Sequence, residues 1–262
     1  MVTWSPHLVD VGGRLRRLWF GLMLSLAAGT TFADMTLPDH LVGNVGAAIY
    51  ATRLQTNRPH ESPLVLPFVY ADYERLFARV DTIGVKTVQL GYGYLELVGR
   101  VSIEGSKTQT QRMRLIRGRS NPLPIGLGTF QETPIGGFFL YSLYDTRSRG
   151  TLLESTYATE FTVRGITFYP QAGIEKRSAH YEQHLRGVTI QQSSADIFPV
   201  YTPGPSITPL AALAADIPLS GSWLINLQWR REQFRRTIRN SPLTGNSHFE
   251  DNGFLAISRT FK

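Results

Sequence analysis

The chain has no cysteine among its 262 residues. That excludes disulfide stapling, thiol catalysis and Cys-ligated metal. It also argues against a small exported domain, because such domains lean on bridges where the core is small. A G-x-S-x-G elbow, a P-loop and a G-x-G-x-x-G turn are lacking too. Gly91-Tyr92-Gly93 has neither the third glycine nor a following helix. Long apolar runs are equally scarce. After residue 33 the longest uncharged run, 197–215, holds Pro199, Pro203, Pro205 and Pro209, which would break a helix several times over.

The apolar stretch that does exist lies near Met1. Arg14, Arg16 and Arg17 precede the eleven-residue run 18–28, and Thr31-Phe32-Ala33 offers small residues at −3 and −1. This is the pattern of a secretory signal, residues 1–33, cleaved after Ala33. The uncharged run 18–33 has 16 residues, short of the ~20 that a spanning helix needs. Residues 34–262 then form one β domain. Cleavage removes three Arg and one Asp, so the net charge falls from +7 to +5. That balance suits a phosphate- or carboxylate-rich partner such as lipopolysaccharide or murein. No nucleic-acid partner is expected.

What the mature chain has in quantity is period-2 alternation. In 151–163 the odd positions Leu153, Tyr157, Phe161 and Val163 are mostly apolar. After Arg164-Gly165 the parity switches to Ile166, Phe168, Ala172 and Ile174. A two-residue turn pairs Val163 with Ile166, Phe161 with Phe168 and Tyr157 with Ala172, so both apolar sets share one face. Arms of about a dozen residues exceed the usual globular strand and approach the length that crosses a bilayer at a tilt.

Further strands are read at 43–52, 64–72, 74–81, 91–103, 123–131, 135–145, 207–217, 223–234 and 253–261. A short one is placed at 181–186 because strand parity requires an element there. In the hairpin 207–234, pairing Ile217 with Trp223 would set Leu213 against Leu227. Trp223 and Trp229 would then border a lipid band as an aromatic girdle. The expected architecture is all-β: a transmembrane antiparallel up-and-down barrel of about twelve strands, with ten as the smaller alternative.

Between strands, 105–121 carries Lys107, Arg112, Arg114, Arg117 and Arg119 without an acid. It reads either as a solvated basic connection or as an anion-binding patch for lipid phosphates or a murein stem peptide. With periplasmic termini, 105–121 and 145–150 would both fall on the periplasmic side.

Several stretches in order resemble the MipA/OmpV family of outer-membrane, MltA-interacting scaffold proteins. They are 46–50, Pro63-Leu64 into Tyr70, 145–150, and Tyr181 followed by Gly187-Val188. Tyr201-Thr202-Pro203-Gly204, Leu219-Ser220 before Trp223, and Ser241-Pro242-Leu243 continue the match. Where many relatives carry an aromatic run before Gly-Val, this chain has His184-Leu185-Arg186. The resemblance implies an outer-membrane barrel of a Gram-negative cell with no catalysis of its own and no cofactor. It also implies a scaffold holding a lytic transglycosylase near a peptidoglycan synthase, in contact with outer-membrane lipid. Near-terminal Phe261, with Ile257 and Leu255 at the same parity, is similar to the assembly signal of such barrels, though Arg259 interrupts the face.

Catalytic readings find little footing. His180 and His184 stand at a helical ligand spacing, but the segment reads as strand and loop, and HExxH is absent. Glu154 with Glu175, or Glu160 near Tyr169, would suggest paired acids. Lumen carboxylates are more often solvated or paired with Arg, and Arg100, Arg164 and Arg230 stand on plausible polar faces. Ser155 has no histidine at a matching position for a barrel hydrolase. A narrow solute pore and an adhesin-like protein are the alternatives to the scaffold.

Overall fold

The pairing that the sequence imposes on its clearest hairpin holds residue for residue. In the computed structural model, which describes residues 37–54, 64–101, 120–196 and 198–262, Val163 pairs with Ile166, Phe161 with Phe168 and Tyr157 with Ala172. Arg164 and Gly165 both take positive φ, 52° and 82°, as a type I′ turn demands. The proposed signal segment lies outside the described residues.

Thirteen strand segments follow in order: β1 (Val42–Leu54), β2 (Leu64–Tyr73), β3 (Leu76–Arg79), β4 (Thr82–Leu90), β5 (Gly93–Arg100), β6 (Ile125–Thr133), β7 (Gly136–Asp145), β8 (Gly150–Ala158), β9 (Phe161–Val163), β10 (Ile166–Arg177), β11 (Ser206–Pro218), β12 (Trp223–Gln233) and β13 (Phe249–Phe261). Each pairs antiparallel with its neighbours, and β13 with β1 and β10 with β11 complete the ring. β8 and β9 are two parts of one wall strand, both on β10. The break has a cause. Thr159 N–H reaches the carbonyl of Pro170 at 3.1 Å, but proline has no N–H to return. The result is a closed antiparallel barrel of 12 strands.

Burial is inverted relative to a water-soluble sandwich. Every long strand turns large apolar residues outward, as with Val88 at 67% and Ile257 at 52% exposure. Inward positions include Glu96 at 1% and Glu232 at 2%. Only a medium of acyl chains makes that arrangement favourable, since an exposed apolar belt of this extent would associate in water.

Three expectations are corrected. First, β4 was not anticipated. Its register slips between Lys86 and Gln89, so the outward set changes parity from Ile83 and Val85 to Val88 and Leu90. A bulge erases the period that alternation depends on. Second, 181–186 is helix, not strand: α1 (Ala179–Arg186), with Ser178 Oγ accepting from Tyr181 N–H at 3.4 Å as an N-cap. Parity did require one more strand, but it sits at β4. The two errors cancel in the strand count and not in direction. Third, Leu213 faces Trp229, two residues from the expected partner. The chain reverses over Ser220-Gly221-Ser222, where Gly221 has φ 59°, and Leu219 N–H bonds Trp223 C=O at 2.9 Å. The tighter turn shifts the register by two and keeps the face.

The added strand reverses the direction of everything between Gly91 and α1. The turns at Glu74-Arg75, Gly91-Tyr92, Pro134-Ile135, Arg164-Gly165 and 219–222 share one end with Val42, the first strand residue, and Phe261, the last. We call this the terminus end. The connections 55–63, 80–81, 101–124, 146–149, 178–205 and 234–248 leave toward the opposite loop end. The flanks of the basic connection and the turn after Asp145 therefore stand at the loop end, opposite to the expectation.

Candidate functional site

The barrel interior is built from alternate residues that the strand period turns inward, and its two halves differ. In the loop half, α1 packs into the lumen. Tyr181 and Leu185, four apart on one helix face, join Phe77, Val98, Tyr141, Leu143 and Leu152 in a buried cluster. Gly150 permits this approach: a Cβ there would lie 2.4 Å from Tyr181 N. The other helix face carries His180 and His184. His184 Nε2 meets the Ser120 carbonyl at 2.8 Å, and no group suited to a metal ion occurs among the described residues.

Around α1 the inward charges alternate in sign. Arg79 holds Glu96 through both guanidinium nitrogens, at 2.9 and 3.0 Å, and donates to Tyr141 Oη at 3.1 Å. Arg100 meets Glu154 at 2.5 Å and Thr82 Oγ1 at 3.0 Å. Glu175 bridges Arg177 and Arg230, and Glu232 accepts from Arg230 at 3.1 Å. On α1, Glu182 accepts from Arg186 at 3.0 Å and from Ser206 Oγ at 2.5 Å. Burial raises the Glu182 carboxyl, but Arg186, Arg177 and these hydrogen bonds outweigh it and hold the group below its ordinary range. Each buried ion would cost several kcal/mol alone, and the alternation of signs offsets that cost.

Two loop segments close over this half. Val188 and Tyr201 form a bridge and pack with Leu243 and Phe198. Tyr201 Oη donates to Thr237 O, and Ser241 Oγ to Arg186 O, both at 2.6 Å.

The terminus half is wetter. Tyr70 points inward, at the parity of buried Phe68, yet is 43% exposed. Lys86 and Asp72 pair at 3.2 Å, with Asp72 open to solvent. Asp216 accepts from Asn226 Nδ2 at 2.7 Å and from Tyr169 Oη at 3.4 Å. This half therefore presents exposed polar side chains toward the terminus end.

Of the sequence-derived candidates, Lys107, Arg112, Arg114, Arg117 and Arg119 lie outside the described residues. Trp223 and Trp229 both face outward and stay exposed. Trp229 Nε1 donates to Asp251 Oδ1 at 3.2 Å beneath the Arg231 guanidinium. Trp223 pairs with Arg259 at the other border, so the charge that seemed to interrupt the last strand sits where a band gives way to water. Ser155 stands between outward Leu140 and Ile174, on the apolar face opposite to the inward carboxylates. Arg100 and Arg230 do pair with lumen carboxylates as expected, whereas Arg164 occupies a turn. Arg79, Arg177 and Arg186 were not anticipated, because their partners come from distant strands and a helix. The signal that could have found them is the parity of their own strands and the Glu182–Arg186 spacing.

The model of one family, described as MltA-interacting protein MipA, matches residues 45–261, from the first strand to the last. The chain belongs to the MipA family. No curated protein matches it. MipA membership and a barrel whose apolar belt faces outward fit a protein of the Gram-negative outer membrane.

Proposed function

We propose that this MipA-family barrel is a non-catalytic scaffold that holds a lytic transglycosylase, and through it a peptidoglycan synthase, at the periplasmic end. Short turns mark the periplasmic end of such barrels and long loops the outer end, so the terminus end faces murein. The filled loop half carries the reading. Among the described residues α1 and the ion pairs occupy the route a solute would take, and the carboxylates a hydrolase would use are bonded to arginines. What remains for a periplasmic partner is the rim of short turns and the exposed polar side chains behind it. The connection carrying Lys107 to Arg119 starts and finishes at the outer end, which favours its lipid-phosphate reading over a murein one.

Capture of an MltA-type transglycosylase by the detergent-solubilised barrel tests this. Replacing Glu74-Arg75 and Arg164-Gly165 each by Asn-Gly preserves two-residue turns and changes the rim chemistry. Weakened capture is expected. Capture unaffected by both replacements, yet lost when Arg112, Arg114, Arg117 and Arg119 are changed together, would sink the periplasmic scaffold.

A further inference from the structure

A second basic run lies within the described residues, on the connection from β12 to β13. Arg230, Arg231, Arg235, Arg236 and Arg239 occur within ten residues, with Glu232 as the lone acid. Arg230 turns inward to Glu175 and Glu232, and Arg231 turns outward to Asp251 at 2.7 Å. The other three belong to a different arrangement. Phe234 and Ile238, four apart, are buried at 3% and 0%. The short helix α2 (Arg236–Arg239) is fastened by Tyr201 Oη on Thr237 O and Thr244 Oγ1 on Ile238 O. With that face pinned, Arg235, Arg236 and Arg239 are left on the other. Arg235 and Arg236 are exposed, among the described residues no carboxylate or hydrogen-bond acceptor holds their guanidinium groups, and Arg239 Nε is buried without a partner there.

The position of this face specifies what it meets. Outward residues of β12 run Trp229, Arg231, Gln233, and extended Arg235 (φ −83°, ψ 171°) continues the column. At about 3.3 Å per residue, Arg235 stands roughly 13 Å along the strand beyond Arg231. Trp229 and the Arg231–Asp251 pair mark where the apolar band ends, so the three arginines lie in the headgroup layer of the loop end. The guanidinium fork matches phosphate oxygens two at a time. Arginines left without protein anions at that depth suit a phosphorylated lipid headgroup. Resting on the outer-membrane reading and its orientation, we infer that Arg235, Arg236 and Arg239 form a binding site for the phosphates of an outer-leaflet glycolipid, the lipid A portion of lipopolysaccharide.

The test uses the mature barrel folded in neutral detergent and titrated with fluorescent lipopolysaccharide. Arg235→Gln/Arg236→Gln should weaken binding by about tenfold or more, as loss of two charge-assisted contacts requires. Lys262→Gln, at the terminus end, should leave it unchanged. Wild-type affinity should fall with added salt, and dephosphorylated lipopolysaccharide should bind as weakly as the double variant. Equal affinity of wild type and double variant overturns the site, as does indifference to dephosphorylation. Competition by phosphatidylglycerol micelles as strong as by lipopolysaccharide overturns the glycolipid assignment. Heat-modifiable migration on gels confirms that each variant is folded. A wild-type chain that is monomeric without detergent would refute the membrane reading itself, whereas a folded barrel indifferent to both arginines refutes this site alone.

Discussion

The two halves of the lumen are made of the same residue types and hold them differently. In the loop half, the carboxylates of Glu96, Glu175, Glu182 and Glu232 are all but fully buried and alternate with arginines around a helix. In the terminus half, Asp72 and Tyr70 are open to solvent, and Asp72 carries the half-buried Lys86 with it. The difference is one of dielectric. The same ion pair is a weak ornament in water and a structural necessity once water is excluded, because removing one partner then strands a buried charge. The loop half should therefore act as a rigid closure and the terminus half as an adaptable mouth.

The sharpest way to break that comparison is a matched pair of substitutions. Glu175→Ala leaves the Arg177 and Arg230 guanidinium groups with Glu232 as the one carboxylate between them among the described residues. It should destabilise the barrel by about 3–5 kcal/mol. Asp72→Asn, on the solvated pair, should cost no more than ~1 kcal/mol. Urea midpoints of the detergent-folded protein report both. Equal losses would mean that the halves do not differ.

A smaller effect is expected where the wall meets the plug. Gly150→Ala would put a Cβ 2.4 Å from Tyr181 N, and α1 must shift to admit it. Overpacking of this kind costs about 1–3 kcal/mol. Planar-bilayer recordings should show little steady conductance for the wild type and discrete steps for a variant lacking 179–186. Steps already present in the wild type would reveal an open pore and overturn the closure.

The closure also has a pH dependence, with the sign set by Glu182. Its folded-state carboxyl lies below the ordinary value of 4.5, so it contributes stability above that value and loses it as pH falls through the lower, folded one. Protease nicking of the β10–β11 connection should rise on acidification below about pH 4.5. Glu182→Gln should remove that pH step and leave nicking elevated throughout. An identical acid response in the variant would assign the effect to another carboxylate.

How far the sequence carried the structure differs between wall and lumen. Alternation specifies a strand wherever the period is unbroken, and it gave the β9–β10 register to the residue. It failed at β4, where a bulge changes parity between Val85 and Val88. That single slip inverted the chain direction from Gly91 to α1 and sent the basic connection to the wrong end. The helix α1 was hidden for a different reason. Its pattern, an N-cap Ser178 with Tyr181–Leu185 four apart, is short and lies among residues that a barrel prior reads as strand. The ion pairs were least legible. Arg100 and Glu154 are 54 positions apart, Arg230 and Glu175 55 apart, and only closure of the wall brings them together.

The smallest effect concerns the outer wall, where the halves should be alike. Trp229 with Arg231 and Asp251 caps the apolar band at the loop end. Trp223 with Arg259, which donates to Ser222 Oγ at 3.3 Å, caps it at the terminus end. Both charged groups are exposed and reach water past an aromatic ring, so neither experiences the low dielectric of the lumen. Asp251→Asn and Arg259→Gln should each cost less than ~1 kcal/mol, and the loss should shrink further in high salt. A loss at Asp251 comparable to that at Glu175 would place Arg231 and Asp251 inside the hydrocarbon layer. The band would then have to extend beyond Trp229, and the headgroup depth assigned to Arg235 and Arg236 would move outward with it.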